Sequence, residues 1–463
     1  MAETPSTPEA WLPVLAKRLD DDVPRVRLLK RYREGDAPLP EGGENVRASW
    51  QRFQREARTN WAELILEAVA SRIVPSGITV AGSADHPLAV QAQRIWRDNR
   101  MNAVVDNWVR DGLSFRRSYL TVWTGDDGRA VVTADSPETM YAATDPLRPW
   151  RVRAAIRVWR DEDEERDYAM VWTDGGRQKF WRPSTNQKGR LYRTVSGGKW
   201  EAAGDPVVTD GRPPITVFNH PNGKGEYESH LDLINRINRG VLHRLVIEAM
   251  EAYRQRAIKA GDHGLPKTDP DGNEIDYSKV FAPAPGALWE LPPGVEIWES
   301  QTTDIRPLLD GARDDLRQLA SVSRTPLPML MPDSANQSAQ GALQAAAAYL
   351  SKCEARAREA QLGITACLVD ALRAEGAELG EADTVEVTMT PVDTVSMAEW
   401  YSAAAQAKAA GVPVRTIWRE VLGWSPQQIK QAELDAANER LAAGVFNFQG
   451  LTGDAASIGA AGD

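Results

Sequence analysis

Residues 320–356 read ASVSRTPLPMLMPDSANQSAQGALQAAAAYLSKCEAR, and the fold turns on how this stretch divides. It opens as a helix end, passes through a Pro-rich loop and a polar run, and becomes a long Ala-rich helix. If continuous, the helix from Ser338 to Glu375 spans roughly 57 Å at a rise of 1.5 Å per residue. Gly363 lies inside it and is expected to bend it. The alanines Ala345 to Ala348 suit close helix approach, or simply high helix propensity.

Upstream, residues 230–261 carry the apolar stripe Leu231, Ile234, Ile237, Val241, Leu245 and Met250. That spacing predicts one long helix ending at Gly261 as a C-cap. A Pro/Gly/Asp-rich insert follows from Asp262 to Glu299, with strand-like pieces GALWEL and VEIWES. A second helix is expected from Ile305 to Ser323. Downstream, TVEVTMT (384–390) is a lone strand that must pair elsewhere, and 396 to about 442 reads helical. There Ser425 stands as an N-cap with Pro426 at the first helical position.

The first region, from Thr7 to about Arg117, reads as helices. Leu12, Leu15 and Leu19 lie on one face, and Pro24 is expected to separate this helix from the next. VRASWQRFQREARTNWAELILEAVASRIV (46–74) reads as one amphipathic helix broken at Pro75 and Gly77. Helices are also expected at Pro87–Asn99 and Asn102–Phe115. From Tyr119 to Val217 the period changes to short β-branched and aromatic runs, with hairpin turns at GDDG and TDGG. This predicts an antiparallel meander carrying Trp123, Trp159, Trp172, Trp181 and Trp200, with that aromatic face packed on helices. No repeat of fixed period is present.

A chain of 463 residues carries a prior of about two to four domains. The 42% hydrophobic content is enough for real cores. A net charge of -10 argues against a generally basic nucleic-acid binder and leaves open an acidic conduit to which nucleic acid does not stick. The two cysteines, Cys353 and Cys367, make neither a disulfide scaffold nor a cysteine-based zinc site, and read as buried thiols. The start from Met1 to Ala10 shows no signal peptide, and no apolar run is long enough to span a membrane, so synthesis in the cytosol is expected.

Catalytic motifs are missing. There is no GxxxxGK[ST], no GxGxxG after a strand, no HExxH and no GxSxG. None of His86, His220, His230, His243 and His263 pairs with another at helical spacing, so no metal or cofactor is expected. His220 reads as a loop or strand-end hydrogen-bonding residue. The acidic run Asp161 to Asp167 reads as a solvated hairpin tip; the alternative is an acidic centre of an enzyme acting on nucleic acid or polysaccharide. Asp314 and Asp315 face either a lumen or water.

The order of parts resembles the portal proteins of tailed bacteriophages, in particular the long-tailed siphophage portals of actinobacteriophage type. The resemblance is carried by YREGDAPLP (32–40), QREARTNWAELILEAVASRIVPSGI (54–78), FNHPNGKGEYES (218–229) and, above all, residues 320–356. In the last, the pattern falls on Thr325, Pro326, Leu327, Met329, Asn336, Ser338, Ala342, Leu343, Leu350, Lys352 and Arg356.

The resemblance implies an α+β portal-type fold in eight parts. These are a helix and β-meander wing (1–225), a stem helix (226–261), a small α/β clip (262–303) and a second stem helix (304–325). A tunnel loop (326–341), a long kinked Ala-rich helix with a returning strand (342–395), a helical crown (396–448) and a disordered tail (449–463) complete it. It implies a non-enzymatic homo-oligomeric ring of about twelve copies at one capsid vertex of the virion. Double-stranded DNA would pass through it during packaging and ejection. The terminase large subunit, then a head-tail adaptor, the major capsid protein and scaffold would be its partners, with no membrane. Pro332, Asp333, Ser334, Asn336, Gln337, Ser338 and Gln340 are the expected DNA-channel tunnel-loop residues. Lys267, Asp271, Glu274, Tyr277 and Lys279 are the expected terminase or adaptor contacts in the clip. The tunnel-loop residues include no Lys or Arg, as a channel that must not grip phosphates requires.

Overall fold

The computed structural model describes residues 5–39, 48–184, 194–209, 211–221, 223–252, 256–259, 264, 267–268, 271–272, 274–276, 296–299, 304–331, 339–393, 397–426 and 428–440. The chain divides into two compact units. One holds residues 1–38, 60–231 and 319–463; the other holds 39–59 and 232–318.

The larger unit begins with α1 (Pro8–Arg33), capped by the Thr7 side chain. It passes helically through Pro13 and Pro24, so Pro24 does not divide it. An interior proline costs about 3 kcal/mol. Here Leu15, Leu19, Val26 and Leu29, all fully buried along the same helix, outweigh that cost. Asp20 adds a lateral anchor, accepting the backbone N–H groups of Val195 at 2.6 Å and Ser196 at 2.7 Å.

The expected single meander is two sheets. Strands β2 (Arg117–Thr124), β3 (Ala130–Asp135) and β10 (Ile215–Asn219) form one, in the order β10-β2-β3. The other contains β4 (Met140–Thr144), β5 (Val152–Asp161), β6 (Arg166–Thr173), β7 (Gly176–Pro183), β8 (Glu201–Ala202) and β9 (Val207–Val208). Strand alternation sends Ala154, Ile156, Val158, Ala169, Val171 and Phe180 to the face that Leu12, Leu15 and Leu19 of α1 cover. The opposite face turns Ala155 and Trp172 toward Tyr119, Ile215 and Val217 of the first sheet.

The tryptophans therefore have different fates. Trp172 meets Trp123 edge-on at 5.0 Å in the core between sheets. Trp200 borders the α1 core. Trp159 stacks on Tyr168, whose other neighbour is the Lys179 ammonium at 3.9 Å, and Trp181 lies under Arg166. Cations, not helices, cover these last rings.

Residues 46–74 are not one helix. Among them, α2 (Ala48–Glu56) and α3 (Trp61–Ala70) are separate, because Asn60 turns its side chain to cap Glu63 N–H and to reach the Arg33 carbonyl. Pro75 and Gly77 do not merely break a helix: β1 (Pro75–Val80) pairs antiparallel with β13 (Val385–Met389), so the lone strand finds its partner some 310 residues upstream. Helices α4 (Pro87–Asp98) and α5 (Met101–Phe115) follow β1 as expected.

In the smaller unit, α6 (Leu231–Ala252) ends well before the expected Gly261; β11 (Arg256–Lys259) already pairs with β12 (Glu296–Glu299). The GALWEL piece lies outside the described residues. Helix α7 (Arg306–Ser323) carries Asp315, which meets Arg236 of α6 at 2.8 Å, while Asp314 pairs with Arg317 of its own helix.

The long Ala-rich helix, α8 (Ala339–Ala374), is helical throughout, Gly363 included. At Gly363 the missing side chain makes room for a close contact. A Cβ there would lie 2.4 Å from Trp108 of α5, whose buried ring also meets Phe218 of β10 edge-on at 5.3 Å. After α9 (Met397–Ala409), Ser425 and Gln428 cap each other reciprocally, each backbone N–H meeting the other's side chain. Cys353 and Cys367 are free and buried. Among the described residues no helix is long and apolar enough to cross a membrane.

Substituting Gly363→Ala should cost about 1–3 kcal/mol of stability by overpacking. In the Trp108→Phe background the same change should cost less, because the smaller ring leaves room. Denaturant midpoints of the four chains in the cycle check this, and simple additivity would contradict it.

Candidate functional site

Two of the sequence stretches singled out above, residues 218–229 and 320–356, meet in the larger unit. Phe218, one residue before the end of β10, packs against Trp108, and the loop beyond the strand folds back onto the C-terminal end of α5. His220 N–H reaches the Arg116 carbonyl at 2.9 Å, and Glu226 N–H reaches the Leu113 carbonyl at 2.8 Å. The loop comes so close that a Cβ on Gly225 would sit 2.0 Å from the Ser114 carbonyl oxygen, which explains a glycine at this position. Tyr227 then donates to the Leu29 carbonyl of α1 at 2.9 Å, and Arg25 of α1 donates through Nε to Glu228 at 2.6 Å.

Opposite this loop, α7 ends in a left-handed turn. Arg324 takes φ 51°, Thr325 N–H bonds the Ala320 carbonyl at 3.0 Å, and Arg324 N–H bonds the Ser321 carbonyl at 3.3 Å. This is a Schellman closure with arginine where glycine is usual. Pro326 follows and prevents continuation. A short helical turn, Leu327–Leu330, comes next.

Helix α8 supplies the cations. Lys352 and Arg356 are four residues apart and share one face. Lys352 donates to the Ser323 carbonyl at the end of α7 at 2.7 Å, so a positive charge caps a helix C-terminus. The Glu226 carboxylate is the centre of the cluster. It lies 2.5 Å from Arg356 Nε, 2.8 Å from His220 Nε2 and 3.7 Å from Lys352 Nζ. All four side chains are buried.

Burial alone pushes the Glu226 carboxyl up. The His220 hydrogen bond and the charges of Lys352 and Arg356 more than offset this and hold it down at about 2. Burial pushes Lys352 down, with Glu226 opposing. Burial likewise lowers His230 and raises Glu359, a partly buried carboxyl near Arg356 and His220. Nothing here resembles a nucleophile poised beside a base; the arrangement clamps a loop, a helix end and a long helix to one carboxylate.

The expected tunnel-loop residues Pro332, Asp333, Ser334, Asn336, Gln337 and Ser338 lie outside the described residues, and Gln340 falls on the first turn of α8. Of the expected clip residues, Lys267, Asp271 and Glu274 are exposed, with Ile275 N–H bonded to the Lys267 carbonyl at 3.0 Å across a small turn. Tyr277 and Lys279 lie outside the described residues. The acidic run 161–167 is a hairpin tip. Asp161 accepts the backbone N–H groups of Asp163 and Glu164, and buried Asp167 pairs with Arg182 at 3.2 Å. Among the described residues no group of three or more His, Cys, Asp or Glu side chains could hold a metal ion.

Removing Glu226 should hurt more than removing either cation it binds, since both cations would stay buried without their shared counter-charge. Glu226→Gln is expected to cost about 3–5 kcal/mol, and Lys352→Met less. The acid limb supplies a second check. The folded Glu226 carboxyl lies below its unfolded value, so its stabilisation is complete above about pH 4.5 and is lost as pH falls toward 2. Denaturation at pH 7 and pH 3 should therefore show a smaller gap between wild type and Glu226→Gln at the lower pH.

Comparison with solved structures gives two aligned examples. Against the neck of a native gene transfer agent particle, computed with C12 symmetry, the TM-score is 0.44 at 14% identity, covering 86% of this chain and 99% of the other. Against the virion of the native gene transfer agent the TM-score is again 0.44 at 14% identity, covering 84% and 96%. No curated protein matches. A family model described as phage portal protein, SPP1 Gp6-like, matches residues 14–440. That span takes in both faces of the Glu226 cluster and nearly all of both units, and the chain belongs to the SPP1 Gp6-like family of phage portal proteins.

Proposed function

We propose that copies of this chain close into a ring at one vertex of a phage capsid and form the channel through which double-stranded DNA is packaged and later ejected. The observation that carries the reading is the family match over residues 14–440. In this reading the larger unit, up to about residue 225, is the wing. Helices α6 and α7 are the stem. Residues 262–303 are the clip that meets terminase and then an adaptor, with Lys267, Asp271, Glu274, Tyr277 and Lys279 as contacts. Residues 326–341 are the tunnel loop, and the helices after 396 are the crown.

The charge pattern of the proposed stem supports a conduit. On α7, Arg313 pairs with Asp310 at 3.5 Å and Arg317 with Asp314 at 2.6 Å; on α6, Arg244 pairs with Glu248 at 3.6 Å. Each of these three arginines has a carboxylate one turn away on its own helix. Free cations would release counterions from DNA and hold it with strongly salt-dependent affinity. With a net charge of -10 per copy, a ring of about twelve would carry a formal charge of about -120, which disfavours static DNA binding.

Negative-stain class averages of the purified chain should show rings of about twelve copies with a hole that admits a duplex roughly 20 Å across. A monomer or closed dimer persisting at high concentration would overturn the reading. Electrophoretic mobility shift with a short duplex should give no retained complex at physiological salt, whereas tight binding would contradict the conduit.

A further inference from the structure

Beside the Glu226 cluster lies a cavity of about 390 Å³. Its walls carry the cations Lys224, Arg324, Lys352 and Arg356, and Glu226 is the one carboxylate among the residues that line it. That carboxylate is already shared by Arg356, Lys352 and His220. The nearby carboxyl of Glu359 does not line the cavity.

Two imidazoles complete the polar wall, His220 and His230. His220 is 5% exposed, and its Nδ1 is buried without a hydrogen-bond partner, although Nε2 is satisfied by Glu226. A buried polar atom left unpaired is costly and points to a missing partner. Ser323, whose hydroxyl bonds the Leu319 carbonyl and Thr325, also lines the cavity.

We propose that this cavity is an oxyanion site that takes a tetrahedral phosphate-type group between the buried pair Lys352–Arg356 and the exposed cations Lys224 and Arg324. The argument is charge balance. Two buried cations and one buried carboxylate leave positive charge in a low-dielectric wall, where an unpaired charge is strongly disfavoured. Two further cations border an opening large enough for more than a single water, whose share of liquid volume is about 30 Å³. Arg324 is brought there by its left-handed turn at the end of α7, and Lys224 by the loop that Gly225 lets close on α5. An oxyanion here would bridge the loop, the end of α7 and α8, and so stiffen the junction that Glu226 already holds.

The shared chemistry is a phosphate oxyanion, and the source is either the free ion or a phosphodiester of DNA. The test is calorimetric titration of the full chain with inorganic phosphate at fixed ionic strength, chloride making up the balance. Thermal unfolding is followed in parallel. Saturable binding is expected, with a rise in Tm that follows phosphate concentration. The double variant Lys224→Gln/Arg324→Gln, whose side chains are exposed, should fold with the wild-type Tm in chloride and bind phosphate about tenfold or more weakly. If phosphate and chloride act alike at matched ionic strength, or if the double variant keeps the full phosphate response, the proposal fails. Given phosphate binding, a short duplex that competes identifies a phosphodiester source, and one that does not identifies the free ion; both support the site.

Discussion

One buried carboxylate holds together three parts of the chain that are distant in sequence. Glu226 accepts from His220 on its own loop and from Arg356 on α8, and it pairs at 3.7 Å with Lys352 of α8, which donates its hydrogen bond to the end of α7. Arginine suits such a place because its guanidinium stays charged and directs its donors in a fixed plane. Burial is what gives the cluster its leverage. In water these contacts would contribute little; out of water, each partner depends on the others to offset its own desolvation.

The same logic explains the small residues around it. Gly225 and Gly363 are both positions where a Cβ would collide, one with a backbone carbonyl and the other with a tryptophan ring. They let a loop and a long helix approach α5 and the three-stranded sheet closely. The sheet in turn stands on the six-stranded sheet through Tyr119, Trp172 and their neighbours, and α1 closes the far side. The loop that carries Glu226 joins the same packing directly at α1, through Tyr227 to Leu29 and Glu228 to Arg25.

Much of this was legible in the residues, for identifiable reasons. The helices Pro87–Asp98 and Met101–Phe115 lie within a residue of where the sequence places them. The hairpin turns at GDDG and TDGG join β2 to β3 and β6 to β7, since their glycines and aspartates fix local geometry. What failed depended on distant partners. Pro24 is a helix breaker by local rules, yet packing on the sheet carries α1 through it. The strand at Pro75–Val80 looked like a helix stop because its partner lies beyond residue 384. Gly261 is a plausible C-cap by local rules, but Arg256–Lys259 before it is committed to pairing with Glu296–Glu299. At the site, His220 stands out as a hydrogen-bonding residue at a strand end, and Lys352 and Arg356 stand out only as positions of the portal-like pattern in residues 320–356. Glu226 was not singled out, because one carboxylate in a glycine-rich loop carries no sign of what will surround it.

The pairing of β1 with β13 also sets an order of events during synthesis. Ser76 and Thr388, hydrogen-bonded across this sheet, are 312 residues apart. At about 5–20 residues per second, the ribosome needs roughly 15–60 s to make the intervening chain. Through that interval β1 has emerged but its only strand partner among the described residues has not been made. An unpaired strand edge is a template for wrong pairing. The nascent chain is thus exposed to mispairing over that interval, and this two-stranded sheet closes only after Val385–Met389 has been made, so that no truncated chain stopping before residue 385 can complete it.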